Sequence, residues 1–240
     1  MERCDLKNPK NNKIIILILS GKDNKDRRDA QRQTWLKNTN IPYKFVLGNE
    51  ADILEAQEPD ILWTDSPDDN LPRKLISAYQ RVSDRYDFDY IFTCDDDTYV
   101  VVERLLDCGF ENHMYMGTRW KNHAEGGAGF FLSRETIERF TQAPLDHLIL
   151  TGPSDVAIGN LAKMYTVNLH EDNRFVQGHS SIKRHGELPM PFNDKITSHY
   201  LGPELMHKVH TQFTRLYWKR MLAQDPKFQQ AYNILFQANA

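Results

Sequence analysis

The stretch IIILIL, residues 14–19, is apolar at every position and stops at Ser20-Gly21, where the chain turns polar as KDNKDRRDAQRQTWLKN. A half-exposed strand alternates apolar with polar residues, so a run without alternation must be covered on both faces. Six residues fall short of the roughly 20 that span a membrane. They also fall short of the roughly 7–15 of a signal-peptide core, and no small-residue cleavage site follows. The run reads as a central parallel strand, closed by a glycine loop and followed by a helix, which is the opening of an α/β unit.

The same alternation continues along the chain. YKFVLG (43–48) and the short ILWT read as strands. LPRKLISAYQRVSDRY (71–86) sets Leu71, Leu75, Ile76, Tyr79 and Val82 at helical spacing, with Asn70 as N-cap and Pro72 in the first turn. DYIFTC (89–94) is a strand, VVERLLD a short helix, and MYMGTRW (114–120), AGFFLS (128–133) and YTVNLH further strands. Ser133 is expected to cap RETIERFTQ, and Ser154 to cap DVAIGNLAKMY. Residues 171–198 read as irregular, and from about 203 a helical pattern runs to the end with a break near Pro226. The expected organisation is a polar tail over 1–13 and one domain over 14–240, with a C-terminal helical segment from about 203 to 240. The expected class is α/β, with a mixed, mainly parallel sheet flanked by helices.

Composition removes several classes of function. The chain is 40% hydrophobic and 26% charged, with a formal net charge of -3, so it lacks the basic surplus of a nucleic-acid binder. Its three cysteines, Cys4, Cys94 and Cys108, make neither a disulfide framework nor a CxxC zinc pair. They read as reduced thiols. With no signal or membrane-spanning stretch, the expectation is a cytoplasmic protein, the alternative being a luminal fragment of a longer one.

The chemistry concentrates in TCDDDTYVVV, residues 93–102, where three aspartates follow the strand DYIFTC. In open α/β sheets ligands bind beyond the carboxyl ends of the strands, and this cluster sits at one. In an extended chain Asp95 and Asp97 share one face while Asp96 points to the other. A solvated acidic turn is one reading. A calcium loop counted from Asp95 fails, because Val100 and Leu106 stand where such a loop has Gly and Glu. The third reading is a site for a hard divalent cation, which prefers oxygen ligands, holding a diphosphate.

Six segments, in order over residues 14–200, resemble the β1,3-glycosyltransferases of the Fringe and core 1 galactosyltransferase group. They are RRDAQRQTW (27–35), LPRK (71–74), DDDTYV (95–100), YMG (115–117) with GGAGFFLSRE (126–135), SDVAIG (154–159), and DKITSHY (194–200). Two departures stand out: Ser154 replaces the usual first acid of its segment, and the cysteines that brace secreted members are largely absent.

The resemblance implies a GT-A, Rossmann-like fold and a UDP-sugar-dependent hexosyltransferase. It implies manganese or magnesium as cofactor, inversion at the anomeric carbon and a β1,3 link. The partners implied are a UDP-sugar donor, carrying a hexose or N-acetylhexosamine, and a glycan or glycoprotein acceptor. Asp97 is assigned direct metal contact, Asp95 the metal or the nucleotide ribose, and Asp96 the donor sugar. His199 is the second metal ligand, with His170 and His179 as fallbacks. Arg28, Arg32 and Lys74 either position phosphate, which suits the arginine fork, or brace the first loop. Gly126 and Gly127 let the backbone pass close to the donor sugar or turn tightly. Trp35 reads as core, and Trp120 and Glu125 flank the glycine loop on the acceptor side. Asp155 is the expected general base, although an acid in a first helical turn is also favoured by the helix dipole alone. Two other functions stay open at this stage: an inactive sugar-nucleotide- or glycan-binding protein, and a metal-dependent diphosphate phosphohydrolase.

Overall fold

The computed structural model describes residues 13–48, 58–143, 152–178 and 194–224. Its main sheet has seven strands: β1 (Ile14–Leu19), β2 (Tyr43–Gly48), β3 (Ile61–Thr64), β4 (Tyr90–Asp95), β6 (Tyr115–Gly117), β9 (Phe130–Ser133) and β10 (Leu169–Glu171). They lie in the order β10-β6-β9-β4-β1-β2-β3. Only β9 runs antiparallel to its neighbours β4 and β6; the other described pairings are parallel. A three-stranded sheet orders β11 (Phe175–Val176), β12 (Thr197–Ser198) and β5 (Tyr99–Val100), and β7 (Arg119–Trp120) pairs with β8 (His123–Ala124) as a hairpin. The helices are α1 (Lys25–Gln33), α2 (Leu71–Arg85), α3 (Val102–Leu106), α4 (Arg134–Thr141), α5 (Ser154–Met164) and α6 (Pro203–Gln224). None of the helices among the described residues is long and apolar enough to cross a membrane.

β1 is buried throughout, as its unbroken apolar run requires. Its side chains alternate between two cores. Ile14, Ile16 and Ile18 pack with residues of α1, α3 and α6; Ile15, Leu17 and Leu19 pack with residues of α2, α4 and α5. The sheet is therefore covered on both faces. Asn70 caps α2 by accepting from the Arg73 N–H, and Ser133 caps α4 by accepting from the Thr136 N–H, as the sequence predicts.

Four expectations change. MYMGTRW is two strands, because Thr118 leaves the β6 line and its hydroxyl donates to the carbonyls of Asp172 and Phe175. Ser154 does not cap α5: Pro153, held extended at φ -65°, takes the cap position, and Ser154 is the first helical residue with no capping bond. YTVNLH is mostly not strand, since Tyr165 ends α5 and Thr166 turns left-handed at φ 56°, so β10 begins only at Leu169. Within 171–198, β11 and β12 build the small sheet. The helical pattern expected after residue 203 is α6; its continuation past residue 224, the tail over 1–12 and Cys4 lie outside the described residues. Cys94 and Cys108 are free and buried. Burial lifts both thiols, Cys108 to about 12, which disfavours the reactive thiolate form.

The centre of β1 carries the packing of both faces. Truncating fully buried Ile16 by Ile16→Ala is expected to cost about 2–5 kcal/mol, read from the midpoint shift in urea unfolding at unchanged slope.

Candidate active site

The carboxyl ends of β1 and β4 lie side by side, with Leu19 in register with Asp95. The sheet order reverses around this pair: β2 and β3 continue on one side of β1, and β4 starts the other. Such a switch point leaves a crevice. The loop after β1 and the aspartate run that begins with the last residue of β4 border it.

The aspartates divide as the extended-chain argument predicts. Asp96 turns inward, 4% exposed at its side chain. It accepts from Ser20 Oγ at 2.7 Å and Asn24 Nδ2 at 2.9 Å, and pairs with Arg27 Nη1 at 3.1 Å. Asp95 and Asp97 turn to the cleft, where His199 Nε2 lies 3.5 Å from Asp95 Oδ2 and 2.9 Å from Asp97 Oδ1. Arg27 also reaches Asp97 Oδ2 at 3.2 Å. The turn between these acids is clamped by Gln31, whose Nε2 donates to the carbonyls of Asp95 and Thr98 at 3.1 and 3.0 Å.

His199 follows β12, and its place depends on that strand. Thr197 and Ser198 pair antiparallel with Val100 and Tyr99, just beyond the aspartates in the chain. The His199 N–H donates to Val176 O at 3.0 Å. Its ring stacks on Tyr200 with centroids 3.9 Å apart. The ring passes directly over Gly127, where a Cβ would lie 2.0 Å from His199 Cε1. Only glycine at 127 admits the histidine.

Two carboxylate oxygens and one imidazole nitrogen, all within 4.8 Å of one another, form this Asp95–Asp97–His199 cluster. The buried Nδ1 of His199 finds no hydrogen-bond partner among the described residues, which leaves Nε2 as the ring atom aimed at the carboxylates. A mixed oxygen and imidazole set fits a divalent cation such as manganese, with magnesium favouring the carboxylates.

On the other side of the glycine loop, the Gly126 N–H donates to Asp155 Oδ2 at 3.1 Å, and the Val156 N–H donates to Oδ1 at 2.8 Å. Asp155 thus stands in the first turn of α5, facing the cleft one residue of backbone away from the residue that abuts His199. Buried Glu125 precedes the loop; burial and the charge of Asp155 push its carboxyl above the usual range, with His199 opposing.

The cationic residues singled out from the sequence serve the frame. Arg28 is buried and donates to Gly21 O at 2.6 Å and Ser20 Oγ at 3.2 Å. Lys74, also buried, donates to Ser20 O at 2.9 Å and pairs with Asp68 at 3.0 Å. Arg32 is matched by Asp29, Glu58 and Asp60 and lies over the Phe45 ring, away from the aspartate turn. His170 stacks on His113 at 3.5 Å, outside the cluster; His179 lies outside the described residues. Trp35 is core. Ser20, Asn24, Arg27 and Gln31 were not singled out from the sequence. Their signal was the parallel neighbourhood of β1 and β4, which puts the residues after Leu19 beside those after Asp95.

The comparisons with known proteins fit this geometry. No protein-family model matches the chain. A glycoprotein-N-acetylgalactosamine 3-β-galactosyltransferase of Xenopus laevis is 28% identical over 170 residues, 65% of this chain and 46% of that protein. A probable β1,3-galactosyltransferase of Arabidopsis thaliana is 25% identical over 209 residues, 67% of this chain and 56% of that protein. The chain is similar to β1,3-galactosyltransferases. It spans about half the length of these curated relatives. The solved structure of an active-site mutant of the galactosyltransferase LgtC superposes with a TM-score of 0.50 at 10% identity, over 82% of this chain and 95% of that one. The fold is of the GT-A glycosyltransferase type, with a mostly parallel central sheet between helices.

The cluster carries an electrostatic cost that can be measured. The Asp95 side chain is 37% exposed, but it opens only onto the cleft. Enclosure by the cleft walls, then repulsion from Asp97, Asp96 and Asp155, pushes its carboxyl from an ordinary 3.8 up to about 7, against the attraction of His199. Between these values the folded chain keeps a proton that the unfolded chain has released. Folding therefore weakens as pH rises through that window, and the cost is complete above about 7. Asp95→Asn is expected to raise the melting temperature of the metal-free protein at pH 8. The gain should shrink as pH falls toward about 4. In the parent, manganese binding measured by calorimetry should weaken as pH drops below about 7 and Asp95 takes up its proton; in Asp95→Asn it should be lost at all pH values.

Proposed function

We propose that the chain is a metal-dependent inverting glycosyltransferase. It moves a hexose or N-acetylhexosamine from a UDP-sugar to a hydroxyl of a glycan or glycosylated protein, forming a β1,3 link. The supporting observation is the meeting in one cleft of the Asp95–Asp97–His199 cluster and Asp155, across adjacent glycines: Gly127 abuts His199, and Gly126 binds Asp155. The choice of UDP comes from the family resemblance. The Xenopus relative's name favours galactose as the transferred sugar and an N-acetylgalactosamine acceptor.

A divalent cation held by Asp97, Asp95 and His199 would supply positive charge against the diphosphate leaving group. The chain's own residues do the rest. Asp155 takes the proton of the acceptor hydroxyl as that oxygen attacks the anomeric carbon from the face opposite the diphosphate. The new C–O bond forms as the bond to the diphosphate breaks, and its electron pair leaves on the phosphate oxygen. Backbone donors on both oxygens of Asp155 hold the base in place. Trp120 is 55% exposed on the β7–β8 hairpin and is the cross-strand partner of His123. Cross-strand partners project to one face, and His123 reaches Asp155, so Trp120 offers its ring to the accepting sugar beside the base.

The direct test is a donor screen: purified protein, manganese and a panel of nucleotide sugars, with free nucleotide as readout. Release of UDP that stops with chelator and returns with manganese is expected, without release of phosphate from UDP itself. Phosphate release from UDP would point to a phosphohydrolase instead. The base assignment has a sharper outcome. Asp155→Asn should bind UDP-sugar and manganese with near-parent affinity by calorimetry, while transfer drops by at least about a hundredfold. Transfer within a few fold of the parent would remove Asp155 from that role.

A further inference from the structure

His123, on strand β8, is a buried histidine beside the proposed base. It is 8% exposed, and its Nε2 lies 3.7 Å from Asp155 Oδ2. The helix that carries Asp155 is shaped to admit it. A Cβ at Gly159 would lie 2.5 Å from the Cβ of His123. Residues four apart share one face of a helix, so Gly159 sits one turn behind Asp155, and its missing side chain is the gap through which His123 approaches. Among the described residues, no other side-chain nitrogen is paired with Asp155.

The two backbone donors on Asp155 differ in kind. The Val156 N–H on Oδ1 is local and travels with the helix; the Gly126 N–H on Oδ2 belongs to the glycine loop. The terminal torsion of an aspartate is broad, so one local bond does not orient the carboxylate. The loop N–H, at 3.1 Å, begins to orient it, and the imidazole stands on the same Oδ2 side at 3.7 Å, an ion-pair rather than a hydrogen-bond distance.

We propose that His123 is a positioning residue for Asp155: with Gly159 as its seat, it holds the carboxylate in the orientation from which Asp155 accepts the proton of the incoming hydroxyl. The proposal rests on the reading of Asp155 as general base. The histidine itself touches no reacting atom and gains or loses no proton in the step. Its effect belongs on the rate of transfer, leaving donor and cation binding unchanged.

The test uses the whole protein with UDP-galactose, manganese and an N-acetylgalactosaminide acceptor. His123→Ala removes the imidazole. Gly159→Ala leaves it in the chain but blocks its approach. His123→Gln restores an N–H donor of similar reach. Transfer kcat is expected to fall at least about tenfold in His123→Ala and in Gly159→Ala and to stay within about threefold of the parent in His123→Gln, since a reacting group misplaced by about 1 Å can cost about a hundredfold. The KM for UDP-galactose and the manganese half-saturation should not move. In an Asp155→Asn background, His123→Ala should cost nothing more. A full further loss in that background overturns the proposal, as does an equal loss in the Gln and Ala variants, or an effect confined to donor KM. If His123→Ala fails to fold, Gly159→Ala and His123→Gln decide by the same criteria. Parent-like transfer by His123→Ala, with Asp155→Asn inactive, sinks the positioning role alone. Parent-like transfer by Asp155→Asn, or no transfer by the parent, sinks the base reading and this proposal with it.

Discussion

Three consecutive carboxylates at the end of a buried strand set the terms for everything near them. Two unit charges about 4 Å apart interact by roughly 4 kcal/mol at the effective dielectric of a protein surface, a large share of the 5–15 or so kcal/mol that hold a domain together. The structure meets this by dividing the charge. Asp96 is taken into the protein and matched by Arg27, Ser20 and Asn24. Asp95 and Asp97 are left toward the cleft, with His199 between them and Arg27 at the far oxygen of Asp97. The unbalanced remainder is what a divalent cation would answer, and it adds to burial, the larger cause, in lifting the Asp95 carboxyl above the ordinary range.

That division needs a rigid turn, and much of the surrounding polar chemistry supplies it. Gln31 ties the two ends of the turn together, the Asp96 N–H donates to Leu19 O, and the Leu201 N–H donates to Asp97 O. Arg28 and Lys74 fix the facing loop after β1 through Gly21 and Ser20. These cations were candidates for phosphate contacts by residue type. Buried as they are, each is committed to backbone carbonyls and acids of the frame, since an unpaired buried charge would cost several kcal/mol. Arg27, the neighbour of Arg28 on α1, is the arginine that reaches the acids. Adjacent residues on a helix point about 100° apart, so a pair of arginines there splits between frame and cleft.

The glycines of GGAG act by absence. Gly127 leaves room for the His199 ring, and Gly126 brings a bare N–H to Asp155. The loop is therefore the common wall of the cation cluster and the proposed base, and it sets the short distance between them.

How much of this was legible in the chain follows from the range of the forces involved. The unbroken apolar run of β1, the helical spacing and Asn70 cap of α2, and the alternation of Asp95, Asp96 and Asp97 are local patterns, and all three survive in the structure. The sequence by itself determined the α/β class, the strand that ends in acids and the residue types fit for a cation. Partnerships across long separations were decided only by the tertiary structure. Strands of two residues carry no readable period, so the pairing of Thr197 and Ser198 with Val100 and Tyr99, which delivers His199 to acids 102 to 104 residues earlier, left no local trace. The same holds for β9, antiparallel among parallel neighbours, and for Arg27 against Arg28, where helical phase relative to the sheet chooses which one meets the acids. Local propensity acts over a turn or a strand, whereas register and facing are settled by burying both sides of one sheet at once.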